Sequence, residues 1–176
     1  MFPLDCGPCQ LRPWRVDDLG DLVRHANSRA VWLGVRDRFP HPYTREVGQA
    51  WLSRMTTEDP PSALAITVAD EAVGGIGAML GSDVNRHTAE VGYWLGEAYW
   101  GRGLATAALS GFLPWAAHAF GLVRFVGHVF SSNPASMRVL EKCGFEREGV
   151  LRKHCLKDGR YLDEHLFGRL MDPLDK

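Results

Sequence analysis

Residues Ala89 to Ala108, AEVGYWLGEAYWGRGLATAA, limit what this chain can become more than any other stretch. A run rich in β-branched and aromatic residues, Ala89 to Leu95, passes through GEAYWGRG into an Ala/Leu-rich segment, the pattern of a strand, a glycine loop and a helix. The first N–H groups of a helix opening at Leu104 have no intrahelical partner and stand at the positive end of its dipole, so the loop is built to hold an anion. Gly101 and Gly103 remove the Cβ atoms that would block a phosphate, and they permit φ > 0.

The loop alone fits more than one ligand. GRGLAT approaches a dinucleotide fingerprint, but that reading asks for a third small residue at Thr106 and an acidic residue roughly 20 positions on to hold a ribose. No Asp or Glu occurs between Glu97 and Glu141, which argues against a nicotinamide cofactor.

A chain of 176 residues fits one domain with a core of its own. A formal charge of −1 without a long basic run argues against a nucleic-acid partner. MFPLDCGPCQ lacks the basic and apolar regions of a secretion signal. Residues 104 to 123 carry no formal charge, but Thr106, Ser110, Gly111, Pro114, His118 and Gly121 make them a buried helix and strand start rather than a membrane span. The expected location is cytoplasmic, with no membrane partner. Cys6-Gly-Pro-Cys9 has thioredoxin-like spacing but no room before it for the strand that chemistry requires, and Cys143 and Cys155 read as core or sheet positions. The histidines show no metal-ligand spacing, so no metal is expected.

In chain order, Gln10–Trp14 reads as a strand, and a helix follows to about Asn27 with Asp17 or Asp18 suited to cap it. A second short helix spans Ala30–Leu33. The loop Gly34–Tyr43 is aromatic and cationic, and is either a packed cover over the core or an acceptor-binding loop. Thr44 caps a helix to about Met55. Ala63–Ala69 and Ala72–Leu80 form a hairpin in which Gly74, Gly75 and Gly77 suggest a bulge or close backbone approach. His87–Leu95 is the strand entering the glycine loop. The helix from Leu104 to Phe120 contains Pro114, where a kink is expected. Leu122–Phe130 is a strand, Asn133-Pro134 opens a helix that Gly144 ends, and Asp158-Gly159 turns a final hairpin of Phe145–Leu156 and Tyr161–Leu170. Strand hairpins mixed with helical crossovers place the fold in the α+β, or three-layer α/β, class.

Trp100-Gly101-Arg102-Gly103-Leu104-Ala105 resembles the acetyl-CoA pyrophosphate loop of the GNAT superfamily of N-acetyltransferases, Gln/Arg-x-x-Gly-x-Gly/Ala, with Trp100 where Gln or Arg is usual. YWGRG at that place, and NPASMRVLEKCGF from Asn133 to Phe145, are similar to the branch that acetylates ribosomal-protein N-termini. LRPWRVDDLGDLV and DGRYLDEHLFGRL resemble the first strand and helix and the closing hairpin of the family. The resemblance implies a mixed, mostly antiparallel sheet flanked by helices, with a V-shaped splay between His87–Leu95 and Leu122–Phe130. It divides the chain into an N-terminal extension at residues 1–9, one domain at 10–172 and a tail at 173–176.

The resemblance also implies roles. Backbone groups of Tyr93, Trp94 and Leu95 would pair with a pantetheine arm, the amides of Gly101, Arg102, Gly103, Leu104 and Ala105 would hold the pyrophosphate, and Thr106 would add a hydroxyl. Asn133 would orient the pantetheine. Glu90 is the candidate base, directly or through water, against the alternative of a carboxylate facing solvent or an arginine. The family's usual tyrosine is replaced by Leu140, which leaves Ser136 as the candidate donor to the thiolate, against a first-turn hydroxyl bonding its own backbone. Either Tyr93 or Trp94 faces the core and the other the acceptor cleft. Asp163 and Glu164 either meet the acceptor amine or pair with Arg160 or Arg169, and His128 reads as a core residue.

The expected function is acetyl transfer from acetyl-CoA to a primary amine, foremost the N-terminal α-amine of a protein such as a ribosomal protein. A polyamine, amino acid or aminoglycoside is the alternative acceptor. Replacement of the tyrosine by Leu140 also admits a non-catalytic acyl-CoA-binding regulator. A homodimer is possible by analogy.

Overall fold

Short apolar strands separated by turn residues, and helices opened by Ser, Thr or Asn, account for most of the observed architecture. The computed structural model describes residues Phe2 to Met171, so the expected tail at 173–176 lies outside the described residues. In chain order the elements are β1 (Leu4–Asp5), β2 (Gln10–Pro13), α1 (Leu19–Ala26), α2 (Arg29–Leu33), α3 (Arg45–Met55), β3 (Ala63–Val68) and β4 (Glu71–Leu80). They continue with β5 (Thr88–Leu95), α4 (Leu104–Phe120), β6 (Arg124–Phe130), α5 (Pro134–Lys142), β7 (Glu146–Lys157) and β8 (Arg160–Leu170). The strands run in the order β1-β2-β3-β4-β5-β6-β8-β7 in one mixed sheet, as expected. β5 and β6 are parallel, and the other pairings described are antiparallel.

Two compact units make up the described chain: residues up to Gly77 with Tyr93–Phe112, and Ala78–Gly92 with the residues from Leu113 onward. In the first unit, Leu11, Leu64, Ile66 and Ile76 are fully buried, and the partners Leu11↔Ile66 and Leu64↔Ile76 put them on one side of the sheet. Burying each contributes roughly 1.5–3 kcal/mol. The other side packs Ala65, Trp14, Leu22, Ala26, Tyr43, Leu52 and Met55 into a second cluster with α1 and α3. Trp94 and Phe39 join it, with ring centroids 5.4 Å apart, and Tyr43 stacks on Phe39 at 4.8 Å. Burial pushes the Tyr43 phenol up to about 12. Phe39 and Tyr43 of the loop Gly34–Tyr43 are therefore core cover.

Ser28, Thr44 and Asn133 accept N–H bonds from Val31, Val47 and Ser136, which opens α2, α3 and α5. The N-terminus of α1 differs from expectation. Its N-cap residue is Asp18, yet no side-chain cap bond forms there. The Asp18 carboxylate instead takes both Arg12 Nη atoms, at 2.8 and 2.7 Å, and the Arg15 amide at 2.8 Å. Arg12 and Asp18 are both about 5% exposed, so this pair joins β2 to the turn before α1 within the core.

In the second unit, β5 and β6 pair only at Thr88↔Arg124, Ala89↔Phe125 and Glu90↔Val126, and β6 continues to Phe130 along β8 alone. The ladder ends there, as the expected splay requires. Gly127 lets Leu140 of α5 approach β6, because a Cβ on Gly127 would stand 2.8 Å from Leu140 Cδ1. The hairpin β7–β8 turns on Asp158 (φ 50°) and Gly159 (φ 74°). It also contains a feature that sequence reading missed: Leu151 faces Glu164 and Cys155 faces Leu162, so Arg152, Lys153 and His154 bulge opposite Asp163 alone. The Lys153 amide donates to Asp163 Oδ1 at 2.7 Å, which holds the bulge. α4 is continuous through Pro114.

Asp18→Ala should cost about 3 kcal/mol, since Arg12 would remain buried with only Asp70 and backbone carbonyls as partners. Urea denaturation of the two proteins measures it, and a loss below about 1 kcal/mol, the scale of a surface pair, would contradict the assignment.

Candidate active site

The loop between β5 and α4 is held at both ends before it reaches the helix. The Gly96 amide donates to the Val73 carbonyl at 2.9 Å, and the Trp100 indole Nε1 donates back to the Leu95 carbonyl at 2.8 Å. Trp100, the departure noted above, thus closes the loop with its own side chain. Gly101 and Gly103 follow at φ 73° and 76°, the left-handed region, and a Cβ built on either would meet no atom within 4 Å. Conformation rather than crowding demands glycine at both positions, and the space above them is open.

The first bond joining α4 to the loop runs from the Ala107 amide to the Gly103 carbonyl at 3.0 Å. The amides of Leu104 and Ala105 precede it, so they lie beyond the helix's own ladder and at its positive end. Arg102 places its guanidinium 5.2 Å from the Tyr99 ring centroid. This set of amides beside open space, flanked by one cation, fits a diphosphate.

Residues distant in sequence support the loop from below. His25 fills the space beneath Gly96, where a Cβ would stand 2.5 Å from its Nδ1, and its ring meets Tyr99 edge-on at 5.4 Å. His25 Nε2 pairs with Glu71 Oε1 at 2.7 Å, as does Arg24. The hydrogen bond from His25 first, and then Arg24, hold the Glu71 carboxyl below the usual carboxylate range. Ser28 donates to Glu97 within the loop. On the opposite flank the buried Cys9 thiol faces the Leu104 carbonyl at 3.8 Å. Sequence reading found none of these supports.

Of the remaining candidate residues, all but Tyr93 and Trp94 belong to the second unit. Glu90 is half-buried on β5, paired with Val126. The Asn133 Oδ1 accepts the Ser136 amide at 3.1 Å, so the carboxamide oxygen caps α5 while its nitrogen end points elsewhere. Leu140 is 1% exposed and belongs to the core. Asp163 receives the Lys153 amide, and Arg169 donates to the Cys143 carbonyl, so the expected pairing of Asp163 with an arginine gives way to a backbone bond. Glu164 is 4% exposed beside His128 and His154. The choice between Tyr93 and Trp94 is settled for the indole, which packs into the first unit's core: a Cβ on Gly75 would stand 2.9 Å from its Nε1.

A model of the acetyltransferase (GNAT) domain matches residues 9–146. The chain belongs to the GNAT acetyltransferase family. Among its relatives are the uncharacterized N-acetyltransferase YoaA of Bacillus subtilis, 35% identical over 97 residues (55% of this chain, 54% of that protein). The ribosomal-protein-serine acetyltransferase of Escherichia coli is 35% identical over 103 residues (58% and 57%). The chain thus spans between 49% and 60% of the length of the first curated relatives it matches. A solved structure of RimL, the ribosomal L7/L12 alpha-N-protein acetyltransferase in complex with coenzyme A, superposes with a TM-score of 0.83 at 22% identity. It covers 97% of this chain and 98% of that one, and it shows the fold. Among the described residues, no helix is long and apolar enough to cross a membrane, and no group of three or more His, Cys, Asp or Glu is placed to hold a metal ion.

In this GNAT chain, Trp100→Phe should keep the ring and lose the bond to Leu95, costing about 0.5–1.5 kcal/mol. Amide hydrogen exchange across 96–103 should quicken while that of β6–β8 is unchanged. Acid should also loosen the loop's support. A carboxyl whose folded pKa is lowered contributes stability that is complete above its unfolded value, about 4.3, and is lost as pH falls through the folded one. Exchange at Gly96 and Tyr99 should therefore rise below about pH 4.3 in the wild type, and Glu71→Gln should abolish that dependence.

Proposed function

We propose that this chain is an acetyl-CoA-dependent N-acetyltransferase acting on the N-terminal α-amine of a protein, with ribosomal proteins the leading class of acceptor. The observation that carries the reading is the anion cradle: amides ahead of the first α4 bond, beside two left-handed glycines with open space above them. The match to a ribosomal-protein-serine acetyltransferase supports the choice of acceptor.

Acetyl-CoA, when bound, supplies an acyl carbon activated as a thioester. The amides from Gly101 to Ala105 would hold its diphosphate, with Arg102 adding charge and Thr106 a hydroxyl. Backbone groups of Tyr93, Trp94 and Leu95 would pair with the pantetheine arm, as a peptide pairs with an open strand edge. In the second unit, the nitrogen end of the Asn133 carboxamide would orient that arm. Glu90 would accept a proton from the attacking nitrogen, directly or through water. Ser136 would donate to the departing sulfur, in the place that Leu140 cannot fill.

Purified protein incubated with acetyl-CoA should release free coenzyme A when offered ribosomal-protein N-terminal peptides, and the peptide should gain one acetyl group at its α-nitrogen by mass spectrometry. Faster release with polyamines, amino acids or aminoglycosides than with any peptide would reassign the acceptor. Glu90→Gln should lower kcat about 10²–10⁴-fold and leave coenzyme A affinity unchanged. Binding without turnover by the wild type would identify a regulator instead.

A further inference from the structure

An ammonium that becomes an amide loses two protons from nitrogen: one leaves before attack, to expose the lone pair, and the second as the C–N bond forms and the C–S bond breaks. One proton ends on the coenzyme A sulfur and the other in solvent. The role proposed for Glu90 covers one transfer and leaves the other without a named acceptor.

Residues paired across a ladder project to the same side of the sheet. Glu90 pairs with Val126, His128 stands two residues further along β6, and Phe130 pairs with Glu164 of β8. Glu90, His128 and Glu164 therefore share one side, opposite Gly127 and Leu140. His128 Nδ1 lies 3.5 Å from Glu164 Oε2, with side chains 29% and 6% exposed. The buried carboxylate fixes one ring nitrogen, and Nε2 is on the other edge of a ring that reaches solvent. His154 brings its Nε2 to 3.7 Å from the same Oε2, carried there by the bulge Arg152–His154. The ionisable groups on this side, besides His128, include Glu90 from β5, Glu164 and Arg160 from β8, Glu146, His154, Cys155 and Lys157 from β7, and Arg124 of β6, which pairs with Glu148.

We propose that His128 is the second base of the reaction, with its Nε2 taking the proton that converts the arriving ammonium to the neutral amine, and that Glu164 is its positioning residue. This rests on the acetyl-transfer reading above. The transfer forms an N–H bond on the imidazole and breaks one on the ammonium, and the imidazolium returns its proton to solvent. Imidazole suits the task, since its ordinary pKa of about 6.5 lies nearer than a carboxylate's to that of an α-amine, about 7.7–8.0. Glu164 acts through geometry: a partner on Nδ1 sets the tautomer that leaves Nε2 to accept.

The test is kcat/KM for a peptide acceptor at pH 7 and pH 9 in wild type, His128→Gln, Glu164→Gln and the double variant. His128→Gln should lose about 10²-fold at pH 7 and markedly less at pH 9, where the amine is already neutral in solution. Glu164→Gln should lose less than His128→Gln at pH 7, should likewise recover at pH 9, and should add no further loss when combined with His128→Gln. An equal loss at both pH values, no loss, or losses of the two single variants that simply add in the double variant would overturn the proposal while wild-type turnover stands. Failure of the wild type to acetylate any amine would overturn the acetyl-transfer reading, and this proposal with it.

Discussion

A helix cannot satisfy its own first amides, and the structure around α4 is arranged to leave them facing open space. Three of the other four helices close such gaps with a side chain: Ser28, Thr44 and Asn133 each supply an oxygen to the helix they open. At α4 the residues ahead of the helix are Gly101, Arg102 and Gly103, and neither glycine has a side chain to offer. Two glycines held in the left-handed region turn the chain so that the amides of Leu104 and Ala105 come free together. Any other residue there would add an unfavourable conformation, on the order of 1–2 kcal/mol, to the loop.

The loop's own bonds, Tyr99 N–H to the Gly96 carbonyl and Trp100 N–H to the Glu97 carbonyl, shape its first turn, and its surroundings hold that turn in place. The Trp100 indole bonds the Leu95 carbonyl, and the Gly96 amide bonds Val73. His25 fills the hollow under Gly96 and meets Tyr99, while Glu71 fixes the other side of the imidazole. The supporting residues come from α1 and β4, elements whose main work is the first unit's core. Core packing and loop shape are in this way one mechanical system: the same helix that buries Leu22 and Ala26 carries His25.

Features legible in the sequence were those whose signal is local. Asn133-Pro134, Thr44, Asp158-Gly159 and the glycines of the loop each announce a cap or a turn within four residues, and all formed as read. Family resemblance extended this to the mixed, mostly antiparallel sheet and its splay. What escaped was non-local. Asp18 stands where a cap is wanted, but a buried guanidinium from β2 outcompeted the helix amides for its carboxylate. β1 is only two residues long and exists because Gln10 and Leu11 offer an edge. The Arg152–His154 bulge reads as unbroken strand in sequence, since its cause is the side chain of Asp163 on the neighbouring strand. His25 and Glu71 carry no motif that would link them to a loop more than twenty residues further along the chain.

Leu140 shows how a departure from a family pattern can be structural in origin. Its side chain is buried against Gly127, at a distance that already excludes a Cβ on the facing strand. A tyrosine at this position would need room for a ring where β6 and α5 meet, and a partner for a hydroxyl in an apolar setting. Glycine on the strand and leucine on the helix are therefore a matched pair, and the cost of that packing is the loss of a phenol from the helix. The departing sulfur is an undemanding group in this respect. A thiol's ordinary pKa is about 8.5, so a thiolate released near neutral pH takes its proton from any hydroxyl or from water. Removing two protons from the acceptor nitrogen is the harder task, and the side of the strands away from Leu140 is where Glu90, His128 and Glu164 stand together.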